Sequence, residues 1–164
     1  MNSIILFIEN IISLLPKEKD QLKVFKNIQN DLKKRYGWDT FPVKFINSNK
    51  CLDNSGKIIN NRNHNLCGGS YLSNLKTISI GDNEHLKIVK KEYNIKMQNR
   101  KFLKLIITHE LLHYVYQNLL TSKDKKWYKD MLDQGGFTTK YLEKLDKVTD
   151  EEKFCEYIAT TLYG

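Results

Sequence analysis

The sequence predicts one α+β domain organised around a single long helix. Three observations point there. Residues 99–120 repeat apolar side chains at helical spacing, two short segments carry strand composition, and nothing in the 164 residues reads as an interdomain linker. A chain of this length can bury a core without help from disulfides.

Taken in order, residues 3–15 and 18–35 read as helices separated by Pro16. The second carries Leu22, Phe25, Ile28, Leu32 and Tyr36 as one stripe, and Gly37 stops it. Residues 1–36 would form a helical N-terminal layer, in one reading a cover over the domain. The run F-P-V-K-F-I, 41–46, has the β-branched and aromatic content of a strand. An Asn-, Ser- and Gly-rich stretch, 47–67, follows, with a short strand possible at 57–59. Residues 68–82 read as a hairpin whose second arm alternates through Thr77, Ile78, Ser79 and Ile80. Gly68 and Gly69 read as a tight turn or as a site of close backbone approach. Helix or loop over 83–97 leads to the helix 99–120. Beyond it, Ser122 can cap a helix ending at Gly135-Gly136, residues 138–147 make another, and Thr149 opens the last, 150–162.

Composition is that of an ordinary globular protein, 40% hydrophobic and 28% charged. The net charge of +8 comes from scattered lysines without a compact basic block, so it argues only weakly for a nucleic-acid partner. The apolar run I-I-L-F-I-E-N-I-I-S-L-L lacks a basic leader and a cleavage site, and is too short to span a bilayer. Cys51, Cys67 and Cys155 form no C-x-x-C; Cys51 and Cys67 could bridge after export, but free thiols and a cytoplasmic location are the simpler expectation. His64 and His85 read as surface residues, and Trp38 and Trp127 as packing anchors.

The long helix contains T-H-E-L-L-H, Thr108 to His113. His109 and His113 lie four apart, so both imidazoles leave one face and can share a tetrahedral ion. Glu110 lies about 100° round the helix, where it can reach a water on that ion without ligating the ion itself. A chance occurrence of this short pattern is the competing reading. Catalytic zinc takes three protein ligands and keeps one open position. No histidine follows His113, and Tyr116 and Leu119 exclude the elongated H-E-x-x-H-x-x-G-x-x-H pattern. Downstream carboxylates remain, above all in T-D-E-E-K-F-C-E-Y-I-A, 149–159. Here Glu151 and Glu152 compete for the role, and Thr149 with Glu152 also spells a purely structural capping box. Glu152 and Glu156 are one turn apart, so a ligand and a residue orienting His109 can share a face.

An H-E-x-x-H helix followed by a helix with E-x-x-x-(D/E) resembles the gluzincins, zinc peptidases of the thermolysin type. The tail E-K-F-C-E-Y-I-A, Glu152 to Ala159, is similar to that of phage-immunity and stress-regulator metallopeptidases and to lethal-factor and Pro-Pro endopeptidase catalytic domains. Length and layout also resemble the minimal gluzincins. Cys155 stands where those patterns have a small Ala, and Glu156 where the regulator pattern has Asn. The resemblance covers the two motif helices and, loosely, the strand before them.

It implies a zincin-like domain with a small mixed or antiparallel sheet, an active-site helix and a C-terminal glutamate helix. It also implies one catalytic Zn2+ held by His109, His113 and Glu152, with Glu110 as base and Glu156 supporting a histidine. The activity it implies is hydrolysis of a peptide or protein substrate. In such families a Tyr or His stabilises the oxyanion seven residues before the ligand. That position is Leu145 here, and Tyr141 is the nearest alternative, weighed against plain packing. The strand at 76–81 is where zincins place the edge that pairs with substrate. Two other readings are a latent zincin-fold protein and a basic nucleic-acid-associated protein with structural zinc, for which Cys155 is the only nearby fourth ligand.

Overall fold

The computed structural model describes residues 16–48, 50–58 and 67–164. The expected helix at 3–15, His64, and residue 59 of the short strand lie outside the described residues. The fold is α+β, with five helices and a three-stranded mixed sheet among the described residues.

Helix α1 (Pro16–Tyr36) includes the proline, two residues before the expected start at 18, because a first-turn N–H has no helical partner to lose. It ends at Gly37, whose φ of 73° and N–H bond to the Lys33 carbonyl close the helix in a left-handed cap. Its buried stripe is Gln21, Val24, Phe25, Ile28 and Leu32; Leu22 and Tyr36, expected inside, are exposed. Gln21 earns its burial through hydrogen bonds: its amide donates to the Gly81 carbonyl and Asn83, and accepts from Asn47.

Strand β1 (Lys44–Asn47) starts three residues later than the expected 41–46. Phe41 and Pro42 form a turn closed by the Val43 N–H on the Thr40 carbonyl, and proline has no N–H to give a ladder. Strands β2 (Gly69–Leu72) and β3 (Thr77–Ile80) make the expected hairpin, joined by a 3-10 turn and by Lys76 at φ 44°. The sheet order is β1-β3-β2, parallel between β1 and β3 and antiparallel between β3 and β2. The expectation that 76–81 is the edge is therefore corrected. β3 is the central strand, buried at all four positions, and β2 is the edge that meets the motif helix.

Helix α2 (Asn83–Glu92) is capped by Asp82, which accepts the His85 N–H. Helix α3 (Asn99–Asn118) carries the motif and buries a continuous run from Ile107 to Leu112. Helix α4 (Ser122–Gln134) is capped by Thr121, not Ser122, in a reciprocal box with Asp124. The expected helix at 138–147 reduces to a single 3-10 turn, Leu142–Lys144. The Thr139 hydroxyl there takes the Leu142 N–H and also bonds Glu156, a local alternative to the helical ladder. Helix α5 (Asp150–Tyr163) is capped by Thr149.

α3 and α5 make the most extensive helix contact in the fold. Phe154 of α5 is fully buried, its ring against Trp38, Tyr116 and Tyr128 at centroid distances of 5.8, 5.5 and 4.8 Å. Trp38 thus anchors packing as expected, whereas Trp127 is 59% exposed. Among the described residues no helix is long and apolar enough to cross a membrane.

Cys51 and Cys67 are joined in a disulfide, and Cys155 is a free, buried thiol. The expectation of free thiols fails for the first two. Such bonds persist in oxidising surroundings, which weighs against a cytoplasmic location. The bridge spans 16 positions and ends immediately before β2. A Cys51→Ser/Cys67→Ser variant is expected to lose about 3 kcal/mol of stability through loop-closure entropy. Urea unfolding with and without reductant checks this; a variant as stable as the oxidised parent refutes it.

Candidate metal centre

His109 and His113 leave the same face of α3 with ring centroids 5.1 Å apart. The first turns of α5 bring three carboxylates against them. Glu152 lies between the rings, Oε2 at 3.1 Å from His109 Nε2 and Oε1 at 3.5 Å from His113 Nε2. Ligand atoms of His109, His113 and Glu152 all fall within 4.8 Å of one another, so the three can hold a metal ion. Among the described residues no other group of histidine, cysteine and acid side chains does so.

The capping-box alternative is half true. Thr149 Oγ1 accepts the Glu152 N–H at 3.1 Å, as a helix cap should. The Glu152 carboxylate does not return to the cap; it faces the imidazoles.

The two outer ring nitrogens are also engaged. His109 Nδ1 faces Glu156 Oε2 at 3.2 Å, and Thr139 Oγ1 donates to the other Glu156 oxygen at 2.9 Å. This is the contact that the supporting role expected of Glu156 would use. Sequence reasoning missed its counterpart: His113 Nδ1 faces Glu151 Oε1 at 2.8 Å, and Gln117 Nε2 donates to that same oxygen. Glu151, the competing candidate, lies outside the converging group and bonds Nδ1 of His113, whereas Glu152 faces Nε2. The signal was present in the spacing, since Gln117 follows His113 by one turn on the same face.

Glu110 is buried beside the cluster without belonging to it. Burial pushes its carboxyl above the ordinary range, opposed by His109, His113 and a hydrogen bond from the Tyr71 backbone. That bond follows from the sheet register. Ser70 and Leu72 face Ser79 and Thr77 in ladder pairs continuing from the Gly81-to-Gly68 bond, so Gly69 and Tyr71 turn their backbone groups to the edge that pairs with no strand among the described residues. Gly68 and Gly69 prove to be places of close approach. A Cβ on Gly69 would stand 2.9 Å from Ile106 Cγ2 and 3.2 Å from Glu110 Cγ, and one on Gly68 2.6 Å from Ile106 Cδ1.

Tyr141 reaches the cluster from the irregular segment before α5. Its hydroxyl donates to Glu152 Oε2 at 3.4 Å, and its ring meets His109 edge-on at 5.4 Å. The residue is 44% exposed overall, but its hydroxyl end turns inward. Burial of that end and the carboxylates of Glu152, Glu110 and Glu156 raise the phenol, which therefore stays a donor. Leu145 is the residue after the 3-10 turn and has no polar group to offer. Cys155 is buried and outside the cluster. His85, expected on the surface, is half-buried and bonds the Cys67 carbonyl at 2.8 Å, steadying the chain that enters β2. A cavity of about 290 Å³ lined by Asn27, Asp31, Arg100, Lys104 and Tyr163 shares no residue with the cluster.

No protein-family model, curated protein or solved structure matches this chain. The gluzincin resemblance therefore stands on the motif residues themselves.

Burial alone would depress His109, but hydrogen bonds to Glu152 and Glu156, with Glu110 nearby, raise it to about 10. In protein stripped of metal, its proton therefore stabilises the fold fully below the unfolded value of 6.5. That contribution disappears as pH rises through about 10. An imidazole must be deprotonated to bind a metal, so if His109 is a ligand, addition of a divalent metal ion at neutral pH is expected to release about one proton from it. Calorimetry in buffers of different ionisation enthalpy measures this, and uptake without proton release contradicts it.

Proposed function

We propose that this chain is a zinc-dependent metallopeptidase of the gluzincin type. The observation that carries the reading is the convergence of His109, His113 and Glu152, with both outer ring nitrogens held by carboxylates. Two imidazoles and a carboxylate suit zinc, and such three-ligand sets keep one tetrahedral position for water or substrate. Bound zinc supplies Lewis acidity, bringing a water's pKa toward about 7 and polarising a carbonyl oxygen.

The chain's own groups do the rest. Glu110, next to the ligands but not one of them, takes a proton from the attacking water and delivers it to the leaving amine. Its raised affinity for a proton suits a group that must both accept and return one. Tyr141, a phenol that stays protonated, donates to negative charge developing on the carbonyl oxygen. The outward backbone groups of β2 support a peptide as substrate, because an extended chain can pair along that edge.

Protein purified without chelator is expected to hold about one zinc per chain, and a His109→Ala/His113→Ala variant to hold almost none. Equal zinc in the two, read by elemental analysis, refutes the metal site. Glu110→Gln is expected to keep its zinc and lose about 10²–10⁴-fold in hydrolysis of a denatured-protein substrate. Zinc loss in that variant would reassign Glu110 as a ligand, and undiminished hydrolysis would remove it as the base.

A further inference from the structure

His113 is the less supported of the two histidines. The ring of His109 is held by Glu156, itself buried and fixed by Thr139, and is covered edge-on by Tyr141. His113 lies parallel to the Tyr71 ring at a centroid distance of 6.4 Å, toward the outer end of the range for ring pairs. On its cluster-facing side the nearest acceptor is Glu152 Oε1, at 3.5 Å. Among the described residues the one short polar contact of this ring is Glu151 Oε1, at 2.8 Å from Nδ1.

Glu151 is itself held. Gln117 lies one turn beyond His113 on α3 and donates to the same oxygen at 2.8 Å. The carboxylate thus bridges two consecutive positions on one face of α3 from the first turn of α5. An ionised carboxylate only accepts, so its bond to Nδ1 requires the proton there and leaves Nε2 with its lone pair toward the cluster.

We propose that Glu151, braced by Gln117, is the positioning residue that fixes the tautomer and rotation of His113 for metal binding. The inference rests on the zinc-site reading above and adds to it a residue that does not touch the metal. It gives α5 a consecutive pair with divided roles: Glu151 addresses the outer nitrogen of His113, and Glu152 the inner nitrogens of both rings.

Zinc-loaded parent, Glu151→Ala, Glu151→Gln and Gln117→Ala are compared by chelator competition and by long-range ¹H–¹⁵N spectra of the histidine rings. Glu151→Ala is expected to lose about 10–100-fold in zinc affinity. In the same variant the His113 Nδ1 proton exchanges rapidly with water, while that of His109 stays protected. Glu151→Gln keeps an acceptor oxygen and restores most of both properties; Gln117→Ala loses less affinity than Glu151→Ala. A change confined to His113 separates positioning from general loosening of α5, which would move both rings. If Glu151→Ala does not fold, Glu151→Asp, too short to span the gap, takes its place with the same expectation. Parent-like affinity with a protected His113 Nδ1 proton in the folded variant overturns the inference. A parent that binds no zinc instead overturns the metal-site reading, so the two failures are distinct.

Discussion

The pairing of α3 with α5 is the constraint on which the rest depends. It buries Phe154 among three aromatic rings and, one turn earlier on α5, brings carboxylates onto two imidazoles. Unpaired charges in such a place cost several kcal/mol each. Here each group is tolerated because another faces it: Glu156 with His109, Glu151 with His113, and Glu152 with both. Four carboxylates nevertheless outnumber two rings once Glu110 is counted. A proton on His109 offsets part of this excess, and a divalent cation offsets more, so the charge balance that the fold leaves incomplete is one that favours a metal.

The sheet contributes less to stability than to placement. β2 lies against α3 only because residues 68 and 69 have no side chains, and that approach brings the backbone of β2 beside Glu110. The disulfide at Cys67 and the His85 bond to the Cys67 carbonyl both act on the chain immediately before this edge. An edge strand with a fixed entry point holds its register better than one that follows an open loop. In this fold, register decides whether Tyr71 or a neighbouring residue turns its N–H toward Glu110.

Much of this was legible from residue spacing. The i, i+4 histidines, the late glutamates and the cap at Thr149 are local patterns, and local patterns survive folding. The readings that failed depended on neighbours distant in sequence. Leu22 and Tyr36 fit a helical stripe as well as Val24 does, and only the position of the sheet decides which face of α1 is covered. Residues 76–81 look like any strand, and nothing local tells a centre from an edge. Residues 138–147 have helical composition, but Thr139 is drawn to Glu156, seventeen positions away. The Cys51–Cys67 bond likewise depends on two ends of a loop meeting, which spacing allows but does not require.

The first turn of α5 shows how one short segment can meet two demands at once. Acidic residues at a helix N-terminus are favoured by the helix dipole, so Asp150, Glu151 and Glu152 suit that turn whatever else they do. Thr149 satisfies the backbone N–H of Glu152 and thereby frees the Glu152 carboxylate, which in a full capping box would fold back onto the cap. Asp150 is taken up by Lys129 of α4, on the outer side. Glu151 and Glu152 are left to point inward along α3, about 100° apart round the helix, toward opposite edges of the His113 ring. The helix start that sequence alone reads as structural is thus the device that aims two carboxylates, and a helix cap and a place in a group able to hold a metal are not rival explanations of Glu152 but separate uses of its backbone and its side chain.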